Sequence, residues 1–250
     1  MNFKKITLYR EPAISEINIE SLVIFLRKNF PIDVEIKDNV FKEFSLENIK
    51  KLSNIRVTDI KSSFSEHKSS DVEIEFERKL CEDSSLMNST TKVENARQIN
   101  EVFMYDGFEL QKILRYLNED NETLHIILTN RLTCTFDEND SRYHGRAVIC
   151  ANPSIISTTG IIEAPAKPKE YYFEVMKLKA QGLDIKSAKE KYKGKFLEYN
   201  DKRLTKILEG YILQVIFYNI TGESFCKDIE CRLNNAHWQK DLLFSQLEIS

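Results

Sequence analysis

Residues 204–231 read Leu-Thr-Lys-Ile-Leu-Glu-Gly-Tyr-Ile-Leu-Gln-Val-Ile-Phe-Tyr-Asn-Ile-Thr-Gly-Glu-Ser-Phe-Cys-Lys-Asp-Ile-Glu-Cys. Leu204, Ile207, Leu208, Tyr211, Ile212, Val215, Ile216, Asn219 and Ile220 fall at helical spacing, which predicts one long helix. Leu204, Leu208, Tyr211, Ile212 and Val215 are the expected buried face. Asn200 or Asp201 supplies an N-cap. Gly222 supplies the stop, because glycine enters the left-handed conformation that closes a helix without steric cost. Beyond it, Glu223–Asp228 must turn the chain back, which brings Cys226 near Cys231. Leu233, Trp238, Leu242, Leu243 and Leu247 then predict a final helix folded over the end of the long one, with Trp238 as its packing anchor.

Upstream, strand and helix patterns alternate. Ile6–Tyr9 is a short β-type run. Ser15–Phe30 has helical periodicity, with Ser15 as its cap. Ile32–Val40 alternates apolar and polar residues as a strand does. Ser45–Leu52 predicts a short amphipathic helix, Val72–Phe76 a strand and Gly107–Leu117 a helix. Leu124–Leu128 and Arg146–Cys150 predict strands on either side of an acidic turn, Asp137–Ser141. Ile155–Ile162 is β-branched and predicts a further extended segment. Pro165 and Pro168 precede helices near Glu170–Lys179 and Asp184–Lys193. Strands interleaved with helices favour an α/β or α+β arrangement: a mixed sheet packed on the long C-terminal helix. The expected organisation is a single domain over residues 1–250, with polar surface insertions near 62–70 and 82–94.

The chain has 250 residues, is 42% hydrophobic and can bury a sizeable core. Its formal charge is −3, from 36 basic and 39 acidic side chains, so no overall basic excess argues for nucleic acid. No apolar run approaches the ~20 residues of a membrane span, and no membrane association is expected. The N-terminus lacks the apolar core and small-residue cleavage site of a signal peptide. The five cysteines are odd in number and scattered, unlike a secreted disulfide framework. The expectation is a cytoplasmic protein.

Residues 215–231 resemble the active-site helix and turn of a zinc peptidase whose metal ligands have been replaced. A metzincin-type site carries His-Glu-x-x-His-x-x-Gly-x-x-His: two His one helical turn apart, a Gly that ends the helix and a third His from the next loop. Here Val215, Asn219 and Phe225 stand at the ligand positions, Ile216 stands at the general-base position, and Gly222 is retained. Cys226-x-x-x-x-Cys231-Arg-Leu is similar to the Cys-x-x-x-x-Cys-x-Met that follows the third His in archaemetzincins. Leu124–Leu132 is similar to that family's strand ending in Thr-Asp-x-Asp-Leu, and Arg146–Thr159 to the strands that hold an extended substrate. The resemblance implies a zincin-like α/β domain of an archaeal metallopeptidase-like family with a degenerate zinc motif. Archaemetzincins complete a structural four-Cys zinc site with a downstream Cys-x-x-Cys, and this chain has no Cys after Cys231. One reading of Cys226, Cys231 and His237 is a structural zinc site completed by an outside ligand; a disulfide and buried thiols are the other readings of the two Cys.

Each of these signals has a plainer reading. Asn219 near a helix end usually satisfies local backbone, and Glu223 is most simply a solvated carboxylate. His144 lies beside Arg142, Tyr143 and Arg146, which allows an anion site or an ordinary charged loop. His125 sits in an apolar strand as a core residue would. Ser157, Thr158 and Thr159 with His144 outline a candidate groove, without the Gly-Lys-Ser/Thr of a phosphate loop. The preferred reading is a metallopeptidase homologue that has lost catalysis and binds peptide or protein by strand addition beside Ile155–Ile162, since that mode needs only main-chain groups. The alternative is an active zinc-dependent metallopeptidase with ligands drawn from His144, His237, Glu223 and a Cys.

Overall fold

A computed structural model describes residues 3–11, 17–83, 103–120 and 122–248. Its frame is a five-stranded sheet of order β2-β1-β4-β8-β7. These strands are β1 (Lys5–Arg10), β2 (Asp33–Lys37), β4 (Thr123–Thr129), β7 (Val148–Ile149) and β8 (Ser154–Ser157). The first four in spatial order run parallel, and β7 closes one edge antiparallel to β8. A smaller sheet is formed by β3 (Met104–Asp106), β5 (Leu132–Asp137) and β6 (Arg142–Arg146), with β5 and β6 paired as a hairpin.

Strand β4 shows why helices cover both faces. Every residue in it is buried, and side chains alternate sides along a strand. Leu124, Ile126 and Leu128 join the core under α1 (Ile19–Asn29) and α8 (Leu204–Thr221). Ile127 joins the opposite core, under α2 (Leu46–Asn54), α3 (Asp71–Glu82) and α4 (Gly107–Leu114). The result is a mixed α/β molecule with a long C-terminal helix, as the periodicity predicts. Leu204, Leu208, Tyr211, Ile212 and Val215 are all buried, and Gly222 closes α8 with φ at +82°.

Several local expectations are corrected. Val72–Phe76 belongs to α3, not to a strand. Ser70 and Glu73 form a reciprocal capping box there, which satisfies two free N–H groups and outweighs the short apolar alternation. Ile155–Ile162 is extended only to Ser157. Its hydroxyl then accepts from Gly160 N and starts α5 (Thr158–Glu163). The predicted strand Arg146–Cys150 is divided between the end of β6 and the two residues of β7. Neither Asn200 nor Asp201 caps α8; Asp201 instead accepts from the Arg203 backbone and side chain. Asn18 caps α1, whereas Ser15 lies outside the described residues, as does 84–94 of the second polar insertion. The two helices after Pro168 are α6 (Lys169–Ala180) and α7 (Lys186–Lys191).

The tail is pinned differently from expectation. Its helix, α9 (Gln239–Leu243), is one short segment followed by a wider turn over Phe244–Glu248. Leu242 and Leu243 enter the core, while Trp238 is only half-buried. The buried anchor is Gln239. Its Oε1 accepts from Leu197 N at 3.0 Å, and its Nε2 donates to the carbonyls of Ile161 and Ile162 at 3.1 and 2.9 Å.

A closed charge network holds the C-terminal ends of β1 and β4. Arg131 is fully buried between Glu11 and Glu77, with its guanidinium 4.1 Å from the centroid of the Phe41 ring. Arg56 and the Tyr105 hydroxyl complete the shell of Glu77. The two cations balance the two anions, which buried charge requires.

Candidate cleft beside strand β7

Strand β7 is short, and among the described residues β8 is its one strand partner. Val148 and Ile149 of β7 line a cavity of about 400 Å³. Arg146–Cys150 form one wall, Tyr211 and Gln214 of α8 another, and Ser224, Phe225 and Asn234–His237 the returning chain. Gly160 sets this wall. A Cβ there would lie 2.1 Å from the Arg146 carbonyl oxygen, so only glycine lets α5 press against the β6–β7 corner.

Gln214 is the most informative side chain in the cleft. It is 1% exposed, its Nε2 donates to Asn234 O at 3.2 Å, and its Oε1 has no hydrogen-bond partner. A buried acceptor without a donor costs free energy, so a ligand N–H or O–H that reached it, after a small movement of this buried side chain, would recover that cost. Arg146 contributes a cation. Its Nε donates to Thr135 Oγ1 at 2.7 Å, and among the described residues it has no carboxylate within ion-pair distance. Phe225 is 47% exposed at the cleft and adds an apolar surface.

The residues at the metal-motif positions separate. Val215 and Ile216 are fully buried in the core and do not line the cleft. Asn219 donates to the carbonyls of Ala151 and Val215, at 3.2 and 2.9 Å. Gly222 is the helix cap. Of the five, Phe225 alone reaches the cleft. Glu223 is exposed.

Cys226 and Cys231 do come together. Cys226 N donates to Leu233 O and Asn234 N to Cys231 O, at 2.9 and 2.8 Å, which closes a tight loop. Cys226 Sγ accepts from Asp228 N and Cys231 Sγ from Leu233 N. Burial and the neighbouring Cys226 thiol push the Cys231 thiol up from its ordinary value. His237 is exposed and lines the cleft, and it does not join the two thiols in a three-donor group.

The candidate groove residues are also dispersed. Ser157, Thr158 and Thr159 are buried, and their hydroxyls donate to the carbonyls of Arg131, Thr129 and Asn130. Strand β8 lies inside the sheet, so the open edge is β7. His144 sits on the β5–β6 hairpin, where its Nε2 meets both Asp140 oxygens at 2.8 and 3.0 Å. Asp137, Asp140 and His144 place ligand atoms within 4.8 Å of one another, the one such set of three among the described residues. Cys150 lines the cleft too, but burial raises its thiol, so it is no activated nucleophile.

A zinc peptidase centre needs three ligands and an open position beside a proton acceptor. The cleft lining offers one imidazole, His237, and one thiol, Cys150, with no carboxylate, and these two belong to no three-donor group of His, Cys, Asp or Glu among the described residues. The residues present do not fit a catalytic zinc there. Gln214 escaped the sequence reading, although it is the polar break in the apolar run Tyr211–Phe217; Tyr211 is expected in the core and Arg146 beside His144, and both also line the cleft.

A family model described as a probable metallopeptidase family (DUF6775) matches residues 2–250. No curated protein matches the chain, and no solved structure does.

Proposed function

The chain belongs to this probable metallopeptidase family, and from that premise we propose that it is a catalytically degenerate member that binds an extended peptide in the cleft beside β7. The observation that carries this reading is a cavity of about 400 Å³ lined both by the edge strand β7 and by Gln214, whose buried side-chain acceptor has no partner among the described residues. A peptide laid along β7 pairs its main chain with the free edge. One of its N–H groups satisfies Gln214 Oε1, and Arg146 favours a peptide with a carboxylate near that point. Gly222, Cys226 and Cys231 support a divergent relation to archaemetzincins, and Val215, Ile216 and Phe225 support the loss of hydrolysis.

The test is a titration of the protein with a library of extended peptides, followed by N-methylation of the best binder one residue at a time. Strand addition predicts loss of affinity at alternate positions, because alternate N–H groups face the edge. A uniform response, or none, sinks the strand-addition reading.

The second reading is an active zinc hydrolase with non-standard ligands. Its support is the Asp137–Asp140–His144 set on the hairpin that also supplies Arg146. Zinc-dependent turnover lost in Asp140→Asn would favour it over the first.

A further inference from the structure

Helix α6 is apolar on two opposite faces. Tyr171, Val175 and Leu178 face inward and pack with Ala188, Tyr192 and Phe196. Phe173 and Met176 face outward, 70% and 65% exposed, and Tyr172 beside them is 45% exposed. Residues 169, 173, 176, 177 and 180 share one helical face. Lys169 and Lys177 therefore bracket Phe173 and Met176.

Charge singles out the same lobe. Residues 167–195 hold nine Lys and no Arg, against Glu170, Glu174, Asp184 and Glu190, a net +5 in a chain of net −3. The remainder is therefore −8. Lys169, Lys177, Lys179, Lys189 and Lys195 have no carboxylate within ion-pair distance among the described residues, and all five are exposed.

We propose that this face docks on an anionic lipid bilayer, with Phe173 and Met176 entering the headgroup boundary, Lys169 and Lys177 beside them meeting lipid phosphates, and the other lysines of the lobe adding longer-range attraction. Exposed apolar side chains ringed by lysine on a helix are the two signals that peripheral attachment requires. Protein interfaces instead deplete lysine and enrich arginine. Nucleic acid would use the cations and leave Phe173 and Met176 idle. The absence of a spanning run bears on crossing a membrane, and no described helix is long and apolar enough to cross; lying on one is a separate matter. Pro165, at the root of the lobe, lines the cleft, so docking would hold the cleft beside the surface.

The test uses the full chain and sedimentation with phosphatidylcholine vesicles, with and without about 30% phosphatidylserine. We expect binding to the anionic vesicles only, weakened about tenfold or more by Phe173→Ser/Met176→Ser at unchanged charge, and also by Lys169→Glu/Lys177→Glu and by salt. Circular dichroism melts of both variants should match the parent, since all four side chains are exposed. No binding, equal binding to neutral vesicles, or binding indifferent to Phe173 and Met176 would overturn the proposal. So would self-association through this face in the absence of lipid, or tighter binding to single-stranded RNA than to the anionic vesicles.

Discussion

The side-chain amide of Gln214 donates to the carbonyl of Asn234 at 3.2 Å, and with the bonds of Arg232 to Glu209 and to the Lys206 carbonyl it joins the long helix to the returning chain, while Gln214 Oε1 is left unpartnered among the described residues. Helix, tail and candidate binding surface thus meet at one residue. Gln214→Met keeps the volume and removes the acceptor. The expected result is a three- to tenfold loss of peptide affinity, the worth of about one neutral hydrogen bond, with stability changed by ~1 kcal/mol or less. Calorimetric titration beside urea unfolding measures both. Unchanged affinity with lowered stability would make Gln214 a purely structural residue.

The tail gives a second comparison. Gln239 makes three hydrogen bonds in full burial, whereas Trp238 is half-buried with Lys169 Nζ 5.7 Å from its ring centroid. Gln239→Ala strands one buried N–H and two carbonyls and should cost about 2–4 kcal/mol. Trp238→Ala should cost less, and Cys226→Ser/Cys231→Ser least. Urea midpoints of the three variants rank them; a larger loss from the Cys pair would restore a metal or disulfide role to that loop.

The charge network predicts an asymmetry. Arg131→Met leaves Glu11 and Glu77 facing each other without their shared cation, at a cost of about 3–5 kcal/mol. Adding Glu11→Gln to that variant removes one stranded anion and should recover part of the loss. Equilibrium unfolding of the single and double variants tests this, and simple additivity of two losses would count against a coupled network.

His125 predicts a pH dependence. Its Nε2 is buried without a partner, its Nδ1 lies 3.1 Å from the Tyr9 hydroxyl, and burial lowers its pKa below the ordinary 6.5. A lowered folded pKa means that the unfolded chain takes up the proton first. The stability contribution is therefore complete above 6.5 and falls as pH drops from there through the folded value. Glu73, held down at about 2 mainly by the Ser70 backbone N–H, loses its contribution only further into acid, below the ordinary carboxylate value. His125→Gln should flatten the stability profile between about pH 7 and 5 relative to the parent. Parallel profiles would show that His125 is protonated without penalty.

What the sequence disclosed and what it concealed have physical causes. The long helix was legible because apolar residues repeat over five turns and Gly222 ends them. Strand β4 was legible as a continuous apolar run buried on both faces. Helix α3 was misread because Val72, Ile74 and Phe76 alternate, although Ser70-x-x-Glu73 carried its capping signal. The end of β8 was misread because Ile and Thr suit a strand, while the Ser157 hydroxyl starts a helix. The expected groove, Ser157, Thr158 and Thr159 with His144, is dispersed, and the motif positions Val215 and Ile216 on the long helix face the core. Gln214, one residue earlier, faces the cavity, and only packing reveals that rotation. Gln239 gave no local sign, because its three partners come from residues 161, 162 and 197.

The central claim is that the cleft binds peptide without zinc chemistry. The most direct measurement takes one peptide that binds, and follows affinity by calorimetry and integrity by mass spectrometry, with added zinc and with a chelator. The account predicts the same affinity in both conditions, an intact peptide throughout, and weaker binding to Gln214→Met. Chelator-sensitive cleavage of the peptide, abolished by Asp140→Asn or by substitution of His144 or His237, would contradict it.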